Sequence, residues 1–279
     1  MTSAFCPGHL TCFFRPVLTA DVMSTGSEGV GIKLSRGTVV HVDERTDGSM
    51  KVTMDGASSE AKVTVRTVRT LCDDRGFDIT VENQLPVSQG FGMSAAGAIA
   101  AGLCVCDIID CDGNEAYRAA HMADIDELGG MGDVSALTAA GPISIRMKAG
   151  LPPRGEVVSK DFGDNLTLIV IGGSLETKKI LADGDAVKRI SSAGGAAMRT
   201  YLAEGRLFGA SRHFSSTAGL ESPELRDALL KLGGDAAMCM LGNSVFTTIT
   251  EDAAKDILGH DVMMYRCSPT GSMAVIRRA

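Results

Sequence analysis

The sequence is short of positive charge. Lysine and arginine number 27 against 34 aspartates and glutamates, a formal net charge of −7. No basic stripe offsets this balance, which argues against nucleic acid as a partner. An anionic substrate would need a local pocket built from individual Arg, Lys or backbone N–H groups. Long apolar runs are missing too. No window approaches the length of a membrane span, and the N-terminus lacks the basic-then-apolar plan of a signal peptide. A cytoplasmic globular protein that engages no membrane is therefore expected, and no repeat or low-complexity segment interrupts it. The 279 residues, 44% hydrophobic and 22% charged, suffice for one large or two medium domains. Eight cysteines lie mostly in apolar runs such as Leu103-Cys104-Val105-Cys106, and are expected to be small buried hydrophobes in a reducing compartment. A metal site at Cys104, Cys106 and Cys111 is set aside, because residues i and i+2 of a helix point apart and no fourth ligand follows at a usual spacing.

What the chain does have is a glycine loop running into a helix of small residues, Pro86-Val-Ser-Gln-Gly90-Phe91-Gly92-Met93-Ser94-Ala95-Ala96-Gly97. Gly90 and Gly92 free the backbone for unusual dihedrals and for close approach of a ligand. Ser94 stands where an N-cap is expected, and the alanines after it favour a helix over Ser94–Ile109. The start of such a helix offers unpaired N–H groups and a positive dipole end. The loop reads as a phosphate cradle. It is neither Walker A nor a dinucleotide fingerprint, since no Gly-Lys-Ser/Thr follows and the third glycine is misplaced. On these residues alone, a structural turn remains the rival.

Short strands are expected at Ala4–Cys6, Gly31–Leu34, Thr38–Val42, Lys51–Met54 and Asp78–Val81, each bounded by Gly or Asp turns. Asn114–Met122 reads as a second helix. In Pro142–Lys148, Ile143, Ile145 and Met147 alternate with Ser144, Arg146 and Lys148, the pattern of a strand. Gly150-Leu-Pro-Pro-Arg-Gly155 is the best domain boundary. Beyond it, strands are expected at Leu166–Ile171, Phe246–Ile249 and Val262–Tyr265. A helix is expected around Asp185–Glu204, and another opens at Ser222-Pro. Two α+β domains fit this order.

Three further segments carry polar residues in glycine-rich settings: Ala4-Phe-Cys-Pro7-Gly8-His9-Leu-Thr11 at the end of the first strand, His121 through Asp124 to Gly129-Gly130-Met131-Gly132-Asp133, and Met238 through Gly242-Asn243 to Phe246. Taken with the loop, the order Pro-Gly-His, Pro-x-x-x-Gly-Phe-Gly-x-Ser-Ala-Ala, Gly-x-Gly-Asp and a late glycine turn resembles the GHMP small-molecule kinase superfamily. Within it, Pro7–Phe14, His121–Val134 and Met238–Phe246 are most similar to the archaeal pantoate kinase family. The likeness is collinear over nearly the whole chain.

The resemblance implies a ribosomal-S5-like N-terminal domain (1–152) and a ferredoxin-like C-terminal domain (153–279), with the site between them. It implies transfer of phosphate from ATP to the primary hydroxyl of (R)-pantoate, a step toward coenzyme A. It is also compatible with a homodimer. In that reading Pro86, Gly90, Phe91, Gly92, Met93, Ser94, Ala95 and Ala96 bind ATP. Ser94 and Asp124 hold Mg²⁺, a hard cation that prefers oxygen. Asp133 is the acid that orients the acceptor hydroxyl or takes its proton, and Ser27, His121 and Arg146 contact the substrate. Several rivals stay open. Asp124 lies beside Asp126 and Glu127 as on a solvated face, and Asp133 could N-cap the following helix. Lys148 shares the polar face of Arg146, His9 could merely shape its loop, and Gly242-Asn243 could close over phosphates or simply link strands. Departures from the family are Met93 for a second hydroxyl residue, Asp124 for Glu, and Glu28, which is expected to point away from an anionic substrate. Homoserine, mevalonate or a sugar is the alternative acceptor, although Thr11-Cys-Phe-Phe replaces the Gly-Glu-His common in sugar and mevalonate kinases. A catalytically silent nucleotide-binding homologue is the alternative of another class.

Overall fold

The two longest strands, β1 (Thr2–Val17) and β2 (Gly26–Arg45), form an antiparallel ribbon that pairs Thr2 with Val42 at one end and Val17 with Gly26 at the other. The computed structural model describes residues 1–173 and 177–277. The sequence pattern marked only fragments of this ribbon. Strand β1 is buried on both faces from Cys6 to Phe14, so strict apolar-polar alternation is absent. Register shifts fall between Pro7 and Gly8 and between Thr11 and Phe13. Pro7-Gly8-His9 consequently lies in mid-strand, not at a strand end.

After the ribbon come β3 (Met50–Met54), β4 (Ala57–Ser58), α1 (Lys62–Leu71) and β5 (Gly76–Asn83), then α2 (Met93–Ile109), α3 (Gly113–Asp126), α4 (Asp133–Ala136), β6 (Ile143–Lys148) and β7 (Glu156–Lys160). The second half holds β8 (Leu166–Val170), α5 (Thr177–Ala182), α6 (Gly184–Glu204), α7 (Leu207–Ala218), α8 (Pro223–Leu232), β9 (Ala236–Met238), β10 (Ser244–Thr247), α9 (Glu251–Leu258), β11 (Met263–Cys267) and β12 (Val275–Arg277). The first sheet runs β12-β1-β2-β5-β3-β4, with β6 on β2 and β7 on β6. Strands β7 and β12 thus join it from beyond residue 152. The second sheet, β11-β8-β10-β9, is antiparallel. Its chain order, strand-helices-strand-strand-helix-strand, is ferredoxin-like. The α+β class and a second sheet of ferredoxin-like order are as expected.

Helices lie on both faces of the ribbon. One face packs on α2, whose small side chains Ala95, Ala96, Ala98, Ala100 and Ala101 are all buried and let the helix approach closely. The other face packs on α6 and α7, where Phe13 meets Tyr201 and Phe14 meets Phe214 edge to face. The core of the second sheet is therefore continuous with Leu10, Phe13 and Phe14 of the ribbon.

Six cysteines are free and buried, but Cys106 is disulfide-bonded to Cys111, against the expectation of unpaired thiols throughout. Asp110 ends α2 in the left-handed region, and Cys111 N–H donates to the Cys106 carbonyl at 2.9 Å. That return of the chain brings the two thiols together. Among the described residues no helix is long and apolar enough to cross a membrane.

Candidate active site

The glycine loop links β5 to α2, and other parts of the backbone press on it. Gly90 (φ +78°) has the Cys239 carbonyl so close that a Cβ would lie 2.8 Å from it, and at Gly92 (φ +69°) a Cβ would lie 2.6 Å from the His9 carbonyl. Both positions thus require glycine for conformation and for space. Helix α2 begins at Met93 with Gly92 as its cap. Ser94 is the helix's second residue, not its N-cap, because the left-handed Gly92 already makes the turn. Its side chain is exposed. No side chain caps this end, and the first helical bond is Ala96 N–H to the Gly92 carbonyl. The earlier amides of the turn remain open to an acceptor. Phe91, Met93, Ala95 and Ala96 are buried, so any contact they make with a phosphate runs through the backbone. Met93 Sδ packs 3.6 Å from Thr38 Oγ1, whose proton goes to Asn83 Oδ1 at 2.9 Å, and the buried side chain is a core plug. Pro86 lies half-buried at the loop's start.

Beside the loop is a hollow of about 340 Å³, lined by Met54, Val63, Val81, Val87 and Met93, with Lys62, Thr64, Ser94 and Glu127 at its edges. An apolar slot with a few polar rim groups suits a flat heterocycle. Sequence reasoning missed it because α1, which supplies Lys62–Thr64, was not recognised. Its Lys-Val-Thr-Val-Arg-Thr run is rich in β-branched residues, a composition that favours strands.

The far side of the loop is backed by the second half of the chain. A Cβ on Gly242 would lie 2.1 Å from the Gln89 carbonyl carbon, and Ser244 Oγ donates to the Gln89 carbonyl at 2.6 Å. Asn243 serves the same turn, its carbonyl accepting from Ile171 and Gly172 N–H and its side chain from Ser222 Oγ. The late glycine turn is the bed on which the Gly90–Gly92 loop rests.

Helix α3 carries His121 and Asp124, and α4 begins with Asp133. Asp124 is buried, and its Oδ2 accepts from Met131 N–H at 3.0 Å. The solvated-face reading of this residue fails. Cβ atoms at Gly129 and Gly130 would lie 1.9 Å from Asp124 Oδ1 and 2.5 Å from Asp133 Oδ2, so the glycine strip is what admits both carboxyls. Burial, and then the charge of Asp133, push Asp124 up to about 7. Gly132, not Asp133, caps α4. Asp133 instead accepts through Oδ1 from His9 Nδ1 at 2.8 Å and from Thr11 Oγ1 at 3.4 Å.

Arg146 completes the group. It is buried in β6, and Nε, Nη1 and Nη2 all lack a hydrogen-bond partner among the described residues. Burial pushes its guanidinium down to about 10, opposed by the charge of Asp133. Ser27 Oγ is also buried and unpartnered. Both converge on Gly132, where a Cβ would lie 2.3 Å from Ser27 Oγ and 2.9 Å from Arg146 Nε. Lys148 is exposed. Glu28 pairs with Arg15 at 2.8 Å and, as Ser27's neighbour on a strand, faces the other way. His121 is buried, and its Nε2 lies 3.1 Å from the Val22 carbonyl. No hydrogen bond links it to Arg146 or Ser27.

Comparison with known proteins agrees with this arrangement. The GHMP kinases N-terminal domain family matches residues 61–141, which include α1, the glycine loop and both acids. The chain is 32% identical over 268 residues to a pantoate kinase of Thermococcus kodakarensis, covering 90% of this chain and 89% of that protein. A pantoate kinase of Methanocaldococcus jannaschii is 27% identical, with 91% and 95% covered. Among solved structures, a phosphotransferase related to the coenzyme A biosynthesis pathway superposes with a TM-score of 0.88 at 28% identity, covering 99% and 98% of the two chains. A mevalonate kinase from Methanococcus jannaschii shares the fold alone, with a TM-score of 0.64 and 14% identity over 96% and 98%. By its identity and coverage, this chain belongs to the pantoate kinase family of GHMP kinases.

Proposed function

We propose that this protein transfers the γ-phosphoryl group of ATP to the primary hydroxyl of (R)-pantoate, giving 4-phosphopantoate. The observation that carries the reading is the buried guanidinium of Arg146, unpartnered beside the unpartnered hydroxyl of Ser27. A buried charge left unpaired costs several kcal/mol, so a fold retains it for an anion that arrives later. A carboxylate receives a guanidinium through two parallel hydrogen bonds, and a substrate bearing a carboxylate and a hydroxyl spans Arg146 and Asp133. His121 joins the substrate side of the site through the Val22 turn that precedes Ser27.

The open amides of Met93, Ser94 and Ala95 take the triphosphate, with Pro86, Gly90, Phe91, Gly92 and Ala96 shaping the cradle. The hollow between Met54 and Val87 takes the base. Asp124 and the Ser94 hydroxyl would supply the oxygen donors that Mg²⁺ prefers, and a buried carboxylate raised by the charge of a second carboxylate fits a cation. Bound there, Mg²⁺ would offset charge on the transferring phosphate. Asp133 accepts the hydroxyl proton while the acceptor oxygen bonds to γ-phosphorus and ADP leaves. Residues 1–152 supply the acids and loop, and 153–279 supply the bed beneath it; we propose this as the domain division, with β7 and β12 returning to the first sheet. Measuring ADP release with Mg²⁺ and pantoate, pantothenate, homoserine or mevalonate tests the reading. Preference for pantoate is expected, and preference for another acceptor refutes it.

A further inference from the structure

The side chain of His9 is fully buried between two polar groups, with Nδ1 2.8 Å from Asp133 Oδ1 and Nε2 2.9 Å from Ser144 Oγ. The order Ser-His-Asp matches a hydrolase triad in connectivity, but Ser144 is fully buried in β6 and no substrate carbonyl can reach it. The array must therefore serve its other end, Asp133, whose side chain is 19% exposed.

We infer that His9 is a positioning residue for phosphoryl transfer: its Nδ1–H fixes Asp133 Oδ1 so that Oδ2 is the oxygen presented to the acceptor hydroxyl, and Ser144 holds the far end of the ring. The inference rests on the kinase reading above. Burial, together with the charges of Arg146 and Lys33, disfavours the imidazolium, although Asp133 opposes this. A neutral imidazole has one N–H and one lone pair. A carboxylate oxygen accepts, so the ring proton lies on Nδ1 toward Asp133, and Nε2 faces the Ser144 hydroxyl, which also lies 3.4 Å from the Gly31 carbonyl. Thr11 Oγ1 adds a weaker donor to the same carboxylate oxygen, and no described side chain donates to Oδ2. Space for the ring is provided across the ribbon: a Cβ on Gly31 would lie 2.2 Å from His9 Nε2. The same Cβ would lie 2.4 Å from the Leu10 carbonyl, so glycine at 31 serves the backbone of the ribbon as well as the ring.

The test uses paired amide substitutions in the full-length enzyme. The side-chain nitrogen of asparagine occupies the place of Nδ1, and that of glutamine the place of Nε2. His9→Asn should keep kcat within about tenfold of the parent, while His9→Gln and His9→Ala should each lose roughly 10²-fold or more, the scale of a misplaced general base. KM for pantoate should change less than about threefold in all three, because Arg146 and Ser27 are untouched. Thermal melting and ADP binding identify any variant that fails to fold. The inference is overturned if folded His9→Gln turns over like the parent, if folded His9→Asn falls as low as His9→Gln, or if the losses appear in KM. Activity of the parent on an acceptor other than pantoate would sink the substrate reading while leaving this test intact.

Discussion

Arg146→Met should make the enzyme worse and the protein more stable. Burial that pushes the guanidinium down to about 10 corresponds to about 3 kcal/mol against the free fold at neutral pH. Methionine fills a similar length of space with no charge to desolvate. Replacing buried ionic groups by packed apolar ones commonly stabilises by about 1–4 kcal/mol. For a chain of this size that is a rise in Tm of roughly 2–8 °C. The catalytic effect has the opposite sign. Two charge-assisted hydrogen bonds, each about 1.5–3 kcal/mol, amount to a loss in kcat/KM of roughly 10²–10⁴-fold, carried mainly by KM because the contacts are common to ground and transition states. Differential scanning fluorimetry with and without pantoate, beside steady-state kinetics, reads both quantities. Pantoate should raise the Tm of the parent and not that of the variant. A variant that is less stable than the parent, or that binds pantoate equally well, would refute the claim that Arg146 is held unpaired for an anionic substrate.

Asp133→Asn should lower kcat by roughly 10²–10⁴-fold with little change in Tm, measured by single-turnover ADP formation. Gly90→Ala should destabilise by about 1–3 kcal/mol, since it places a side chain at φ +78° against the Cys239 carbonyl, and it should weaken ATP binding in calorimetry. The histidines give a pH signature. Burial lowers both His9 and His121 below the ordinary 6.5, so below that value the unfolded chain takes up protons that the native state does not. Stability should be full above about pH 6.5 and fall as the pH drops. His121→Leu should flatten the fall in urea titrations; an unchanged slope would count against its buried neutral state.

The sequence made some of this legible and hid the rest for definite reasons. Helices α2, α6 and α8 were readable because small residues, caps and Ser222-Pro signal them locally, and Ser222 Oγ does accept from Leu225 N–H. The length of β1 and β2 was not readable, since strands buried on both faces lose the alternation that marks an edge. Asp133 and Arg146 stood out by motif and strand face. The role of His9 did not, because its partners lie 124 and 135 residues away. The same holds for Gly242, whose requirement comes from Gln89. Ser94 was misread as a cap because a serine before a run of alanines is the usual signature, whereas the left-handed glycine ahead of it performs that turn.

One contact ties the end of the chain to its beginning. The ammonium of Lys33, buried in β2, donates to the carbonyls of Ala139, Gly271 and Ser272, and β12 then pairs with the first residues of β1. Without residues 271–277 this cation would keep only the Ala139 carbonyl of the three. That short stretch thus serves the first sheet twice, as strand β12 beside β1 and as cover for the ammonium, and its removal would strand a charge inside the ribbon.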